Sequence, residues 1–226
     1  MKDNELNRKE CLKQQTYLRK IIEKSDNINE IFGCFINQHS ILHSSVISKN
    51  KFWSFEDTIF EDTTETILRR IPHNCHHSIL WNIWHIARIE DVTVNILIAE
   101  SKQVLNCEEW NKKMEIEFRD TGNSMKEEEI KHLSERINIK QLRKYRLKVG
   151  MRTQEIISQL GIADLKREIE QNSLQRIMEE GALVEEASSI KEYWGKRNIA
   201  GLMLMPATRH NIIHLNEAFQ LKQRKK

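Results

Sequence analysis

The segment Ser78-Ile-Leu-Trp-Asn-Ile-Trp-His85-Ile-Ala-Arg-Ile-Glu90-Asp-Val-Thr-Val-Asn-Ile-Leu-Ile-Ala-Glu100 reads as the strongest helix of the chain. It holds neither glycine nor proline. On a wheel of about 100° per residue, Ser78, Trp81, His85, Ile89, Val92 and Ile96 fall in one narrow arc. A histidine therefore sits where the core is expected. The stretch from Ile71 to Ala87 has no Asp, Glu, Lys or Arg but carries four histidines and two asparagines. That polarity excludes a membrane span and marks the first place to look for a buried site.

The rest of the composition agrees with a helical protein. Average usage of about 7% Gly and 5% Pro would place roughly 16 and 11 in a chain of this length. The sequence has 7 and 2, too few for the tight turns of sandwiches, barrels or propellers. Charged residues make up 31% of the 226, which suits amphipathic helices with solvated outer faces. The length favours a single helical domain over residues 1–226, with a bundle core at about 28–222 and an appended N-terminal helix at 6–23. A formal charge of +3 argues against nucleic-acid or membrane partners, and the basic run Lys222–Lys226 reads as a solvated helix end. Cys11, Cys34, Cys75 and Cys107 form no CxxC pair. With no apolar leader at the N-terminus, free thiols in the cytoplasm are expected.

Outward from the central segment, Leu6–Glu23 is predicted as a charged helix. Asn27 or Asn29 caps a second one to about Ile47, with Phe32, Phe35, Ile36, His39 and His43 inward. Ser48–Ser54 interrupts the pattern. Glu56–Arg70 reads as one helix stopped by Pro72, and 101–137 as irregular apart from Met125–Ser134, where Ser124 and Glu127 have capping-box spacing. Asn138–Leu160, Ala163–Glu180, a turn of helix at Tyr193-Trp194, and Asn198 to about Lys222 complete the set. An antiparallel four-helix bundle with additional short helices fits these lengths. Leu183, Val184, Tyr193 and Trp194 either supply a homodimer interface or pack on their own bundle.

On the last helix Met203, Ala207, His210, His214, Glu217 and Leu221 share a face. His210 and His214 are separated by about 40° around the axis and 6 Å along it, so both rings can converge on one point. Two histidines at this spacing form a common metal platform. Burying three imidazoles among Trp, Ile, Val and Met costs free energy unless each nitrogen finds a partner, and a divalent cation bound by His85, His210 and His214 satisfies all three. Three histidines leave positions open for water or substrate, as a catalytic site requires. The plainer alternative makes these residues hydrogen-bonded packing groups. The pattern is not HExxH, since Asn211 follows His210. His39 and His43, among Ser40, Ser44 and Ser45, read as a face between solvent and core rather than a second metal site. His73, Cys75, His76 and His77 read as a polar loop or helix N-terminus. Trp81, Asn82, Trp84 and Arg209 are placed to shape the mouth of the site. Glu217 is either an acceptor behind an imidazole or a general base, with an ion pair to Arg209 or Arg88 as the alternative. His43 is a further group that would stand behind the ligands.

Together these residues resemble the DinB/YfiT-like superfamily of metal-binding four-helix bundles. Ser78, Trp81, His85 and Glu90 match its S-x-x-W-x-x-x-H-x-x-x-x-E pattern, and Pro206-Ala-Thr-Arg-His210-Asn-Ile-Ile-His214 its closing HxxxH helix. A related arrangement occurs in the iron-binding domain of sulfoxide synthases that make thiol-histidine betaines. The resemblance implies a three-histidine site for zinc, nickel or a similar ion. It also implies activities ranging from transferases and isomerases that use low-molecular-weight thiols to members without a known reaction. The inserts at 101–137 and 161–197 set this chain apart from simpler members; they are expected either to cover the site or to form a dimer surface.

Overall fold

The computed structural model describes residues 2–47 and 53–224, and the side chains from residue 4 onward. The expected break at Ser48–Ser54 falls mostly outside the described residues, as does the end of the basic C-terminal run. The fold is all-α, with no strands among the described residues. Its helices are α1 (Lys2–Lys24), α2 (Ile28–Leu42), α3 (Phe55–Phe60), α4 (Glu65–Arg69), α5 (Ile79–Asp91), α6 (Val104–Cys107), α7 (Trp110–Met114), α8 (Glu127–Arg136), α9 (Ile139–Ser158), α10 (Gln171–Glu179), α11 (Ser188–Gly195), α12 (Ile199–Leu204) and α13 (His210–Gln223). Helix α5 runs on as a π-helical segment, Val92–Ile98, and a second π-helical segment, Met205–Arg209, joins α12 to α13.

The starts of the long helices follow from side-chain capping. Asn27, Ser78, Asn138 and Asn198 accept backbone N–H groups at the first turns of α2, α5, α9 and α12, which satisfies donors the helix itself leaves open. Helix α5 departs from the expected amphipathic pattern, because every one of its 13 residues is buried. It is the central element, packed on α9, α13, α4 and α8, and a helix buried on all sides has no polar face. One core cluster, with Trp84, Tyr145 and Leu215, surrounds its first half. A second, with Phe35, Ile96 and Trp194, surrounds its π-helical extension.

Three expectations are corrected. The predicted helix at 56–70 is two helices, because Glu61 closes α3, Asp62 takes a positive φ of 51° and Thr64 caps α4. The helix near residue 125 starts two residues later, with the Lys126 N–H bonded to the Glu129 carboxylate. The run predicted from Ala163 to Glu180 is interrupted by extended backbone. There the Ile199 N–H donates to the Arg167 carbonyl and Glu168 bridges Asn198. Arg167 meanwhile caps the Ile98 carbonyl at 2.8 Å. These tertiary bonds outweigh local helix preference. Of the residues weighed for a dimer interface, Leu183 and Trp194 are buried in the second core cluster and Tyr193 packs partly against it, whereas Val184 is exposed.

The inserts are anchored by a buried ion pair. Arg88 donates to Asp91 (3.1 Å), to the Tyr145 hydroxyl (2.8 Å) and to Gln103 (2.7 Å), while Tyr145 donates to Asp91 at 2.6 Å. Asp91 also accepts the Val104 and Leu105 N–H groups at the start of α6. Removing one partner of such a network leaves the others unsatisfied. Tyr145→Phe is therefore expected to lower stability by about 1–3 kcal/mol, seen as a lower urea midpoint with an unchanged slope.

Candidate metal centre

His85 on α5 and His210 and His214 on α13 meet in one cluster. Their ring centroids lie 5.0, 4.8 and 4.5 Å apart, and each offers one nitrogen within 4.8 Å of the others. The rings are positioned from behind. His85 Nδ1–H donates to the Thr121 carbonyl at 2.5 Å; because a carbonyl only accepts, the lone pair left free is on Nε2. Asn82 donates from Nδ2 to the Ser78 carbonyl at 2.9 Å, which turns its Oδ1 toward His214 Nδ1–H at 2.7 Å. His214 is therefore fixed in the same tautomer. Such partners orient ligating imidazoles.

Thr121 belongs to the turn Asp120–Asn123 of the first insert, so that insert supplies the acceptor that orients His85. Gly122 has φ +80°, and a Cβ there would stand 2.6 Å from the Trp84 ring, so the turn needs glycine. His210 is held by the π-helical turn, with its N–H donating to the Met205 carbonyl. Pro206 lacks an N–H, and Thr208 Oγ1 donates to the carbonyls of Met203 and Leu204 across the same turn. Such π-helical bulges often accompany functional sites.

Burial drives the His85 ring well below the usual histidine range, helped by His210 and His214 beside it. Burial likewise takes His210 down to about 3. Both are neutral and free to donate lone pairs at neutral pH. The buried Nδ1 of His210 has no hydrogen-bond partner among the described residues, a cost that coordination of a metal would relieve. The donor set therefore fits a divalent cation with nitrogen preference.

Not every expected residue lies where the sequence placed it. Trp81 lies between His77 and His85, with centroids at 3.7 and 4.5 Å and planes within 6° and 12°, and its Nε1–H reaches Met125 Sδ. Asn82 orients His214. Trp84 is fully buried under Gly122 and does not line a mouth. Arg209 is exposed and lines a groove of about 1280 Å³ between α1 and α12–α13; none of the three histidines lines that groove.

Glu217 pairs with neither Arg209 nor Arg88. Its two oxygens accept from His77 Nδ1 (3.0 Å) and His214 Nδ1 (3.4 Å). Burial raises its carboxyl, but the hydrogen bonds from His214 and His77 outweigh that and hold it far below the usual range. His77 was read as part of a polar loop; the only signal for its role was its place one turn before Trp81. His43 also stands elsewhere, because His39 and His43 are both fully buried against Glu90 of α5. Solvent reaches the cluster past His214, His77 and Glu217, whose side chains are 15%, 25% and 35% exposed.

The fold and this cluster define an all-helical protein with a buried trihistidine candidate metal centre. The sequence model of the DinB superfamily matches residues 57–218, including all three histidines. The chain belongs to the DinB superfamily. No curated protein matches it. Among the described residues no helix is long and apolar enough to cross a membrane, and all four cysteines are free thiols.

The depressed histidines make the metal-free protein acid-sensitive. The unfolded chain binds protons on these rings below about pH 6.5, whereas His43 and His210 resist protonation until about pH 3. Protonation thus favours unfolding, and stability is lost as pH falls through that window. Each ring is expected to withdraw several kcal/mol across it. Urea midpoints measured from pH 7 to pH 4 should fall steeply, and a flat profile would contradict the burial of these rings.

Proposed function

We propose that His85, His210 and His214 bind one divalent ion, zinc or nickel, and that the protein is a metal-dependent enzyme acting on a small molecule. A thiol S-transferase using a low-molecular-weight thiol is favoured, with hydrolase-like chemistry as its nearest variant. The convergence of three imidazoles, two with Nδ1 already committed to an acceptor, carries the reading. An ion bound there supplies Lewis acidity that lowers the pKa of a thiol or water. The rivals are a helical interaction protein whose histidines are packing residues, and a non-catalytic metal-binding protein whose ion is closed off by a fourth protein ligand. Both side chains suited to that role are engaged elsewhere, Glu217 with His77 and His214, and His43 with Glu90. An accessible coordination position supports turnover.

The protein's own groups then have separate tasks. Asn82 and the Thr121 carbonyl fix the rings. The stacked Trp81 covers one side of His85 and limits water. Glu217, ionised and open to solvent, accepts from His77 and His214 and so holds a negative charge beside the His214 edge.

Elemental analysis after loading with zinc or nickel should find one equivalent fewer in His210→Ala than in the wild type. Glu217→Gln should keep the ion and lose about 10–100-fold in activity. Titration of the cobalt-loaded protein with small thiols should perturb its visible spectrum. A spectrum indifferent to thiols, with no conjugation of test electrophiles, would sink the transferase reading, and equal metal content in wild type and His210→Ala would remove the site.

A further inference from the structure

A second buried cluster lies on the other side of α5. Glu90 is fully buried, and its Oε1 faces His39 Nε2 at 2.8 Å while its Oε2 faces His43 Nε2 at 3.1 Å. The two rings project from successive turns of α2, with centroids 4.3 Å apart. One donor atom from each of the three residues lies within 4.8 Å of the others. Behind them stands a set of supporting bonds. Thr153 donates to Glu90 Oε1 at 2.8 Å and Asn211 to Oε2 at 3.1 Å, while Gln154 bridges His39 Nδ1 and Ser40. Partners of this kind orient the carboxylate and imidazole ligands of a metal.

We propose that His39, His43 and Glu90 form a second divalent-metal site, of the two-histidine, one-carboxylate type, independent of the trihistidine centre. Charge is the first reason. Glu90 is enclosed by His39, His43, Thr153 and Asn211, and among the described residues no Lys or Arg stands within 4 Å of it. The nearest guanidinium in this network, Arg146, is bonded to Glu56, the Leu42 carbonyl and Asn211. A carboxylate enclosed without a counter-charge is costly, and a bound cation supplies that charge.

Geometry is the second reason. The 2.8 and 3.1 Å separations between Glu90 oxygens and ring nitrogens approximate the edge of about 3 Å between neighbouring ligands bound at about 2.1 Å in an octahedron. The site would suit iron(II), manganese(II) or cobalt(II). On binding, each neutral ring moves its proton from Nε2 to Nδ1, so that Nε2 offers its lone pair. For His39 the Gln154 amide can rotate to accept from that Nδ1–H. Gln154 and Ser40 also line a groove of about 730 Å³ between α1 and α2, although His39 itself is fully buried. His39 and His43 lie outside the residues matched to the superfamily, whereas Glu90 lies inside them.

The test is metal stoichiometry by elemental analysis, after loading the full chain with cobalt(II) and gel filtration. Wild type should hold two equivalents. His210→Ala/His214→Ala should keep one, with the weak visible absorption of a six-coordinate ion. Glu90→Gln and His39→Gln/His43→Gln, chosen to preserve volume, should each bind this second ion at least about 100-fold more weakly. One equivalent in the wild type, lost with His210 and His214 and unaffected by Glu90→Gln, would overturn this site and leave the trihistidine centre standing. One equivalent that survives loss of His210 and His214 but not of Glu90 would do the reverse. If variant folding is in question, cadmium NMR of the wild type decides: two bound signals support the site, and a single signal rejects it.

Discussion

The complete burial of α5 is the constraint on which the rest of the structure depends. A helix enclosed on every side draws partners for most of its polar side chains from other elements, because an unpaired buried group costs about 1–3 kcal/mol; the Trp84 Nε1–H alone on α5 has none among the described residues. Ser78 reaches Ser134 of α8, Asn82 reaches His214 of α13 and His85 reaches the turn at Thr121. Arg88 and Asp91 gather Tyr145 of α9 and the start of α6, and Glu90 draws in α2, α9 and α13 together. The polar residues of one sequence segment thus specify which elements surround it and in what register. Apolar packing alone would tolerate several arrangements.

The candidate chemistry grows from the same constraint. His85 is fixed because its Nδ1–H needs an acceptor, and the acceptor is a carbonyl in an insert that Gly122 allows to pass close over Trp84. His210 and His214 depend on the backbone around Pro206. The missing N–H and the π-helical turn displace the following helix relative to a regular one, so the phase of α12 does not carry directly into α13. Both prolines lie beside the cluster in sequence, Pro72 ahead of α5 and Pro206 ahead of His210.

Much of this was legible in the residues. Helix starts at Asn27, Ser78, Asn138 and Asn198 follow from local capping chemistry, and the i, i+4 spacing of His210 and His214 already places two rings together. What stayed hidden depends on partners distant in sequence. His39 and His43 sit among serines and read as half-solvated, yet they are buried by Glu90, some fifty positions later. Thr121 contributes a carbonyl, which no side-chain pattern announces. Arg167 and the Ile199 N–H break a helix that the sequence around Ala163–Glu180 would otherwise continue. In each case a long-range hydrogen bond overrides a local preference, and local periodicity carries no record of it.

The two clusters share more than a helix. His85 and Glu90 are five residues apart on α5, about 7.5 Å of rise, and His210 and Asn211 are consecutive at the start of α13. One turn of α13 therefore presents an imidazole to one cluster and an amide to the other. Asn211 binds Glu90 through Nδ2 and Arg146 through Oδ1, and Arg146 leads on to Glu56 of α3. The position of the His210 ring is thus set by a chain of buried bonds from α3 through α9 to α5, well away from the solvent edge at Glu217. A rigid polar network on one side and a partly solvent-exposed edge on the other hold the three rings in fixed positions around a common point.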